Sequence, residues 1–254
     1  MTDYLLLRLY GPLASWGEIA VGESRHSAVQ PSKSALLGLL GAALGVRRDD
    51  DQAQQALAQG YRFAVKLICA GSPLRDYHTI QAPAQRRKVQ YRSRREELAD
   101  PSRLGTLLSA REYRCDSLAL VAVEALDSAP HSLEVVARAL REPFFTLYLG
   151  RKSCPLALPL QPQVVTSESV RGALDDTPLT SLLALLQDNP EQPWPSRADR
   201  VALRPSKARY YWEDGMHAGM QASLQLVRHD QPLSRRRWQF APRREWVFLA
   251  GDEV

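Results

Sequence analysis

The sequence has few of the residues that bind metal ions or form disulfides. Its three cysteines, Cys69, Cys115 and Cys154, are an odd number at wide spacings without a CxxC pair, which argues against a disulfide framework and a closed zinc site. Its five histidines are dispersed and form no HExxH pattern. We therefore expect no metal and no cofactor, and a protein of the reducing cytoplasm.

Long apolar runs are also absent. Near the first residue, Asp3 and Arg8 bracket a short apolar run, which matches neither a secretion signal nor the roughly 20 apolar residues of a spanning helix. We expect neither export nor membrane insertion. With 254 residues, 44% of them hydrophobic, the chain can still bury a globular core.

Common catalytic motifs are missing too. No Walker A loop, GxGxxG or GxSxG sequence is present, which removes the commonest ATPase, dehydrogenase and hydrolase interpretations. A metal-independent ribonuclease stays open, because a histidine can act as acid or base without such motifs. Tyr77-His78 is the candidate, although His78 is equally explained as a hydrogen-bonded structural histidine at a strand end.

Positive charge is concentrated in two segments. The net charge is 33 minus 28, or +5. Residues 86–114 hold nine basic and four acidic residues, residues 228–244 hold six and one, and each segment is therefore +5 while the remainder is −5. Aromatic residues are interleaved in both: Tyr91, Tyr113, Trp238 and Phe240. This pattern is typical of single-stranded nucleic-acid binding, although an arginine-rich genome and solvated surfaces also produce basic segments.

Periodicity and capping signals predict two βαβ units. The first contains a strand over 4–10 that ends at Gly11-Pro12, a helix after Ser32 that stops at Gly45, a helix over 51–58, and strands over 61–70 and 74–80. The second contains a strand over 117–125, a helix over 132–141 and a strand over 144–149. This order predicts an α+β fold with a ferredoxin-like core.

The regions outside these units have different characters. Residues 82–110 are polar and basic without periodicity, and they are too long for an ordinary connection. After residue 154 the chain is rich in proline, with a helix predicted over 179–187 and strands over 208–212, 221–227 and 246–250. We expect a smaller, β-rich C-terminal part.

Two short segments have the composition of phosphate-binding sites. Ser32-Lys33-Ser34 lies at a helix start, where free N–H groups and the helix dipole attract anions. Gly150-Arg151-Lys152-Ser153 combines a flexible glycine, two cations and a hydroxyl after a predicted strand. Each segment is equally compatible with an ordinary cap or turn.

Six segments resemble a known family in their sequence and their order: YLLLRLYGPLASWG, PSKSALLGLLGAALGVRRDD, LRDYHT, REYRCDS, YLGRKSCPLALPL and REW. They are similar to the CasD family, which supplies a subunit of the type I-E CRISPR surveillance complex, Cascade, and belongs to the RAMP superfamily. The resemblance implies a palm like an RNA-recognition motif (1–81 and 111–160), a basic β-hairpin thumb (82–110) and a C-terminal β-rich part (161–254) packed on the palm.

The resemblance also implies a function. It implies that the subunit holds the 5′ handle of the CRISPR RNA, caps the filament of backbone subunits, contacts the adjacent backbone subunit and the large subunit, meets target DNA only indirectly, and is not an enzyme. The RNA-binding candidates are Arg8, Trp16, Arg25, Ser32, Lys33, Ser34, His78, Arg86, Arg87, Lys88, Tyr91, Arg92, Arg111, Arg151, Lys152 and Ser153.

Two departures from the family pattern bear on this hypothesis. Relatives in other CRISPR subtypes cleave precursor RNA with a Tyr, a Lys and a His, whereas here no Lys precedes His78. The alternative hypothesis is therefore a metal-independent endoribonuclease that uses Tyr77 or His78 with Lys88 as charge stabiliser. A scaffold that touches only proteins leaves both basic segments unexplained. Residues 161–219 match no family segment, so no role is transferred to them.

Overall fold

A computed structural model describes residues 1–20, 22–83, 90–177 and 207–250. The fold is mixed α/β and its strands are mostly antiparallel. The helices are α1 (Lys33–Leu44), α2 (Asp51–Gly60), α3 (Arg94–Glu97), α4 (Leu133–Arg141) and α5 (Val170–Asp175), with a 3-10 turn at Pro101–Arg103. The strands are β1 (Thr2–Ala14), β2 (Trp16–Gly17), β3 (Ser24–Arg25), β4 (Ser27–Ala28), β5 (Tyr61–Cys69), β6 (Ser72–Pro83), β7 (Leu104–Ala125), β8 (Gln163–Ser167), β9 (Arg209–Glu213), β10 (Leu224–Ser234) and β11 (Gln239–Leu249).

One large sheet organises the chain, in the strand order β10-β11-β9-β5-β7-β1-β8. The C-terminal strands join it because β9 pairs with β5, from Ala64 opposite Trp212 to Leu67 opposite Arg209. The β-rich C-terminal part therefore extends the same sheet. The helix predicted over 179–187 lies outside the described residues.

The two faces of the sheet bury separate apolar clusters. On one face, alternate residues of β1 and β7 such as Leu5 and Val121 pack against α1, α2 and α4. On the other face, their neighbours Leu6 and Ala122 pack against α5 and the aromatic residues of β9 and β11. Because successive side chains of a strand point to opposite faces, strands buried on both sides are continuously apolar.

The helix boundaries predicted from local signals are confirmed. Ser32 caps α1 by accepting from Ala35 N, and Gly45 ends it in the left-handed conformation. Ser132 caps α4 in the same way, through Val135 N. These ends are set by residues within one turn, so the sequence alone is enough to locate them.

The prediction that the first strand ends at Gly11-Pro12 is wrong, because β1 continues to Ala14. Gly11 lies opposite Ser117 and Leu13 opposite Cys115 on β7. On its other side β1 pairs with β8 only over Thr2–Leu6. A proline without an N–H is tolerated where one edge of a strand has no partner.

The prediction of a strand over 144–149 is also wrong. Its first N–H groups, those of Phe144 and Phe145, donate to Ala43 O and Ala42 O at the end of α1, and only an isolated bridge joins Tyr148 to Pro155. The first N–H groups of this segment therefore bond to carbonyl groups at the end of α1 instead of to a neighbouring strand. The strand that pairs with the outer side of β1 is β8, which lies beyond residue 160.

Both ends of the polar segment 82–110 lie in a β-hairpin whose arms begin before residue 82 and end after residue 110. β6 and the first half of β7 pair from Ser72 opposite Cys115 to Pro83 opposite Leu104. At the base of the hairpin, Asp116 has φ 56 and Gly71 has φ 66. Most of β6 is exposed or half-buried, so no buried face imposes an apolar alternation, and the sequence pattern of this strand is weak.

Gly150 is the position at which the backbone conformation most clearly requires glycine. It has φ 82, and a Cβ there would lie 1.9 Å from Ser15 O. We expect Gly150→Ala to lower the free energy of unfolding by about 2–4 kcal/mol, from left-handed strain and overpacking together. Urea denaturation measures this. Gly17→Ala, which meets nothing within 4 Å, is the control, and equal losses in the two variants would contradict the assignment.

Candidate nucleic-acid interface

A groove of about 1330 Å³ opens beside the N-terminal half of α1. One wall is the stretch 145–150 and the other is the turn between β10 and β11, with the segment 17–20 at one end. Basic and aromatic side chains from distant parts of the sequence line it: Arg25, Arg47, Arg48, Arg228, Arg235, Phe145, Tyr148, Trp238 and Phe240.

Trp238 is the main aromatic surface of this groove. Its side chain is 59% exposed, and Phe240 meets it edge-on with ring centroids 5.9 Å apart. The guanidinium carbons of Arg48 and Arg235 lie 5.2 and 6.0 Å from its ring centroid. We refer to Arg48, Trp238 and Arg235 as the tryptophan cluster.

The backbone at Trp238 is held in an uncommon conformation, with φ 58. A bulky residue with positive φ costs of the order of 1–2 kcal/mol, and such strain occurs most often at functional sites. Ser234 anchors the turn, because its hydroxyl donates to Asp51 at 3.2 Å and accepts from Arg237 N at 3.1 Å. The turn therefore presents Trp238 from a base fixed on α2.

The two cations of the tryptophan cluster have no carboxylate in ion-pair contact among the described residues. Arg235 donates to the backbone oxygen of Ser34. Burial lowers the pKa of Arg235, and the charge of Arg48 lowers it further. Asp49 lines the same groove, but its ion pair is with Arg47. The two neighbouring guanidinium groups therefore form a local excess of positive charge, which an anion such as a phosphate group stabilises.

A buried ionic network fixes the hairpin of β10 and β11 against the start of α1. The ammonium of Lys33 lies 2.6 Å from Glu213, and Lys33 N donates to Asp230 at 2.8 Å. Arg243 donates to Asp230 at 2.6 Å and to Glu245 at 2.7 Å. Burial lowers the pKa of Arg243, but its bonds to Asp230 outweigh this and the pKa is raised above its ordinary value.

This network corrects the expectation for the helix start at Ser32-Lys33-Ser34. Lys33 is only 5% exposed, and both its ammonium and its N–H already have acidic partners. The Ser32 hydroxyl caps α1. The geometry therefore favours a structural role for Ser32 and Lys33, and it leaves Ser34, a half-buried residue of the groove wall, as the member of this segment near the tryptophan cluster.

Two further RNA-binding candidates are buried in the fold. Arg8 is 2% exposed and donates to Pro159 O at 3.3 Å, and burial lowers its pKa. Trp16 is 3% exposed, within the apolar cluster beneath α1. Neither side chain has a free face to offer a base or a phosphate, which corrects their assignment as surface contacts.

Other candidates lie at or near the groove. Arg25 is exposed on its wall and donates to Gly22 O at 2.6 Å. Next to Gly150, the guanidinium carbon of Arg151 lies 5.2 Å from the ring centroid of Tyr113, while Lys152 and Ser153 are exposed. These cations can extend a phosphate path from the groove towards the hairpin.

The hairpin of β6 and β7 carries the remaining candidates. Arg111 lies opposite Asp76 on its arms, and beyond the arms Tyr91 is half-buried and Arg92 exposed. Arg86, Arg87 and Lys88 lie outside the described residues, so their role stays a prediction.

Tyr77 and His78, the two alternative ribonuclease residues, lie on different faces of the hairpin. Tyr77 and His78 are consecutive on β6, so their side chains point to opposite faces of the hairpin. His78 Nε2 pairs with Asp76, which lies two residues away on the same face. The ribonuclease alternative needs one of them together with Lys88, which lies outside the described residues, so this alternative stays a prediction.

The sequence reasoning missed most of the tryptophan cluster. The basic segment 228–244 and its Trp238 were recognised as a nucleic-acid signal, but none of its residues was assigned to the site. Arg48 was not singled out either, because two arginines after a helix end are common on protein surfaces. Only the fold brings Arg48 to within 5.2 Å of Trp238.

Two features are absent from the part of the chain that the structure describes: a metal-binding cluster and a membrane-spanning helix. Within the described ranges, no group of three or more His, Cys, Asp or Glu side chains could hold a metal ion. Among the same residues, no helix is long and apolar enough to cross a membrane.

The position of Lys33 gives a stability prediction. Lys33→Met leaves Glu213 buried without its nearest cation, and we expect a loss of about 3–5 kcal/mol in the free energy of unfolding. Burial raises the pKa of Glu213 and Lys33 offsets this only in part, so removing Lys33 raises that pKa further, and the loss should grow as the pH rises through the raised pKa of the folded protein.

Urea denaturation between pH 5 and 8 measures the effect of Lys33→Met. The control is Lys152→Met, at an exposed position, where a change within about 0.5 kcal/mol is expected. Unchanged stability of Lys33→Met together with weaker RNA binding would instead restore Lys33 as a phosphate contact.

Comparisons with known proteins identify the family. Residues 4–245 match the family model described as CRISPR-associated protein (Cas_Cas5). The chain is 38% identical to the CRISPR system Cascade subunit CasD of Escherichia coli (strain K12) over 168 residues, 63% of this chain and 70% of that protein. A solved chain titled CRISPR RNA-guided surveillance complex shares the fold, at 24% identity and TM-score 0.61, over 97% of this chain and 90% of that chain. A second, titled Crystal structure of Cas protein, is 26% identical with TM-score 0.56, over 97% and 94%. The chain belongs to the Cas5 family of CRISPR-associated proteins.

Proposed function

We propose that this protein is the subunit of a type I-E Cascade complex that holds the 5′ handle of the CRISPR RNA and caps the filament of backbone subunits. The observation that carries the proposal is the tryptophan cluster, in which Arg48 and Arg235 flank an exposed indole without carboxylate partners among the described residues. Similarity to a Cascade subunit supports the same assignment.

The groove has the chemistry that single-stranded RNA requires. Bases stack on exposed aromatic rings, and guanidinium groups neutralise the phosphates between them. Trp238 supplies the ring, Arg48 and Arg235 supply the nearest charges, and Tyr148 on the opposite wall is a second exposed ring. The RNA would continue past Arg25, Arg151 and Lys152 towards the hairpin.

The palm of this subunit is proposed to be ferredoxin-like. In support, three of the predicted strands, β1, β5 and β7, and β8, which takes the place of the strand predicted over 144–149, stand in the order β5-β7-β1-β8. Helices α1 and α2 separate β1 from β5, and α4 separates β7 from β8. The hairpin of β6 and β7 would be the thumb.

The proposed protein partners are the adjacent backbone subunit and the large subunit. Target DNA is contacted only indirectly, and the proposed location is the cytoplasm. The hairpin arms expose Leu74, Tyr77, Leu107 and Leu108. Exposed apolar residues that cluster on one protruding element are typical of a protein contact. The arms would therefore meet a neighbouring subunit while the cations near the tip meet nucleic acid.

The proposed role is binding without cleavage. The test is to incubate the purified protein with labelled repeat RNA in EDTA, and to run a native and a denaturing gel from the same tubes. Retarded, intact RNA is expected. Cleavage at one position that His78→Ala abolishes would establish the endoribonuclease instead, and absence of binding would overturn the handle assignment.

The tryptophan cluster predicts the effect of two substitutions on this binding. Removing a base-stacking ring costs about 1–3 kcal/mol, so Trp238→Ala should weaken RNA binding roughly 5- to 150-fold. Arg48→Ala should weaken it and lower the slope of log affinity against log salt by about 0.7, the value for one phosphate contact on a single strand.

Filter binding at several salt concentrations measures both effects. Arg138→Ala is the matched control, because Arg138 is exposed on α4 outside the groove lining and its loss should leave affinity and slope unchanged. Equal effects of Arg48→Ala and Arg138→Ala would indicate only a loss of net charge.

The thumb gives an independent prediction. Charge reversal at Arg86, Arg87 and Lys88 should weaken retention of the guide RNA and reduce the salt slope by about 0.7 for each phosphate contact that is lost. The same filter assay measures it. Unchanged retention at every salt concentration would remove the thumb from the RNA-binding surface.

A further inference from the structure

Strand β10 forms one edge of the large sheet and its first half is open. β10 pairs with β11 on one side, and the described residues place no strand on its other side. Residues 223–227 are exposed without interruption. Among them Leu224 is 40%, Leu226 36% and Val227 62% exposed, so this edge combines a bare backbone with apolar side chains.

Natural proteins usually protect such edges, and both the second half of β10 and the opposite edge strand β8 are protected. The second half of β10 has irregular register at 228–231 and at 232–234, and Pro232 offers no N–H. Helix α2 also contacts this half, because Gln55 donates to Leu233 O and Gln231 donates to Ala58 O. The opposite edge, β8, is only five residues long and exposes no large apolar side chain. Among the described strands from β10 to β8, Leu224–Val227 is therefore left unprotected, while β6, a branch of the same sheet, has a second open edge in its hairpin with β7.

The charges next to this edge indicate what would bind. Arg244 lies opposite Val227 on β11 and is exposed, without an ion pair among the described residues. Arg228, at the end of the open edge, is 3.4 Å from Glu18. Arg228 therefore has an acidic partner already, and a partner segment with apolar residues that reaches Arg244 would be favoured by an acidic residue at its end.

We infer that the β10 edge, Leu224–Val227, is a docking site for an extended, apolar and acidic segment of a neighbouring protein subunit, which adds one strand to the sheet. Backbone hydrogen bonds supply affinity in such a contact and side-chain pockets supply specificity. Protein is favoured over RNA because this stretch offers backbone groups and aliphatic side chains, without an aromatic ring for stacking. The identity of the neighbour as a Cascade subunit rests on the proposed function.

The open edge of β10 lies beside the proposed RNA groove, as expected for a subunit that assembles around its guide RNA. Val227 and Arg228 also border the RNA groove. A strand added to Leu224–Val227 would therefore end where the RNA is proposed to pass, so protein and RNA would occupy adjoining surfaces of one hairpin.

Amide hydrogen exchange in the full chain tests the inference. We compare the protein alone, the protein with repeat RNA, and the protein assembled with the other subunits of the complex. Strand addition should slow exchange of the amides of 224–227 about tenfold or more in the assembly only. Unchanged exchange in a complete assembly would overturn the inference and leave the proposed function intact, whereas failure of the wild-type chain to assemble would refute the proposed function itself.

Substitutions at the edge give a second readout. Lysines block strand addition, so Leu224→Lys combined with Leu226→Lys should reduce retention of the partner subunit about tenfold or more. RNA affinity should not fall, because neither side chain lines the groove and the added charges are positive. Thr166→Lys, on the opposite edge strand β8, is the control and should assemble normally.

Two other outcomes would contradict the proposed occupant. Protection of 224–227 by RNA alone would assign the edge to nucleic acid. A dimer of the isolated chain that the double lysine variant disperses would assign it to a second copy. Equal loss of partner retention in Thr166→Lys would show only that added charge disturbs assembly.

Discussion

The ion pairs between the start of α1 and the C-terminal strands are the interaction on which the candidate site depends. Lys33 pairs with Glu213 on β9, while Arg243 on β11 holds Asp230 and Glu245. Three acidic and two basic side chains meet there in a buried setting, where removing either cation leaves a buried acidic group without its partner. A register slip of one residue in β11 would turn Arg243 to the opposite face. The network therefore fixes the hairpin of β10 and β11, and with it the position of Trp238, relative to α1.

The basic residues around this hairpin include two kinds: those that the network pairs with acidic residues, and those that lie outside it without an acidic partner among the residues described. Lys33 and Arg243 have acidic partners and stabilise the fold, so they add little to the electrostatic field outside the protein. Arg48 and Arg235 have none in the described part of the chain, and they lie together at the indole of Trp238. Net charge from composition counts both kinds alike. The residues that attract a polyanion are those that the fold leaves without a counter-ion.

Local signals in the sequence predicted α1, α2 and α4 well but not the short helices α3 and α5, and non-local contacts account for the failures among the strands. Ser32, Gly45 and Ser132 act within one turn of their own helices. By contrast, Phe144 is drawn away from a strand by Ala43 O, about a hundred residues earlier in the chain. The predictions for the candidate RNA-binding residues show the same difference between local signals and non-local contacts. Arg25 was predicted and lies in the groove, but the burial of Arg8, Trp16 and Lys33 depends on strands and helices whose contacts no short pattern records.

The hairpin of β10 and β11 concentrates three roles in about 26 residues of sequence. Its inner face carries the ionic network, its turn carries Trp238, and its outer edge exposes Leu224–Val227. A change in the network should therefore move the turn and the edge together, because a paired two-stranded unit shifts as one body more readily than it bends. An RNA bound at the turn and a protein strand bound at the edge would both stabilise the same placement of this hairpin.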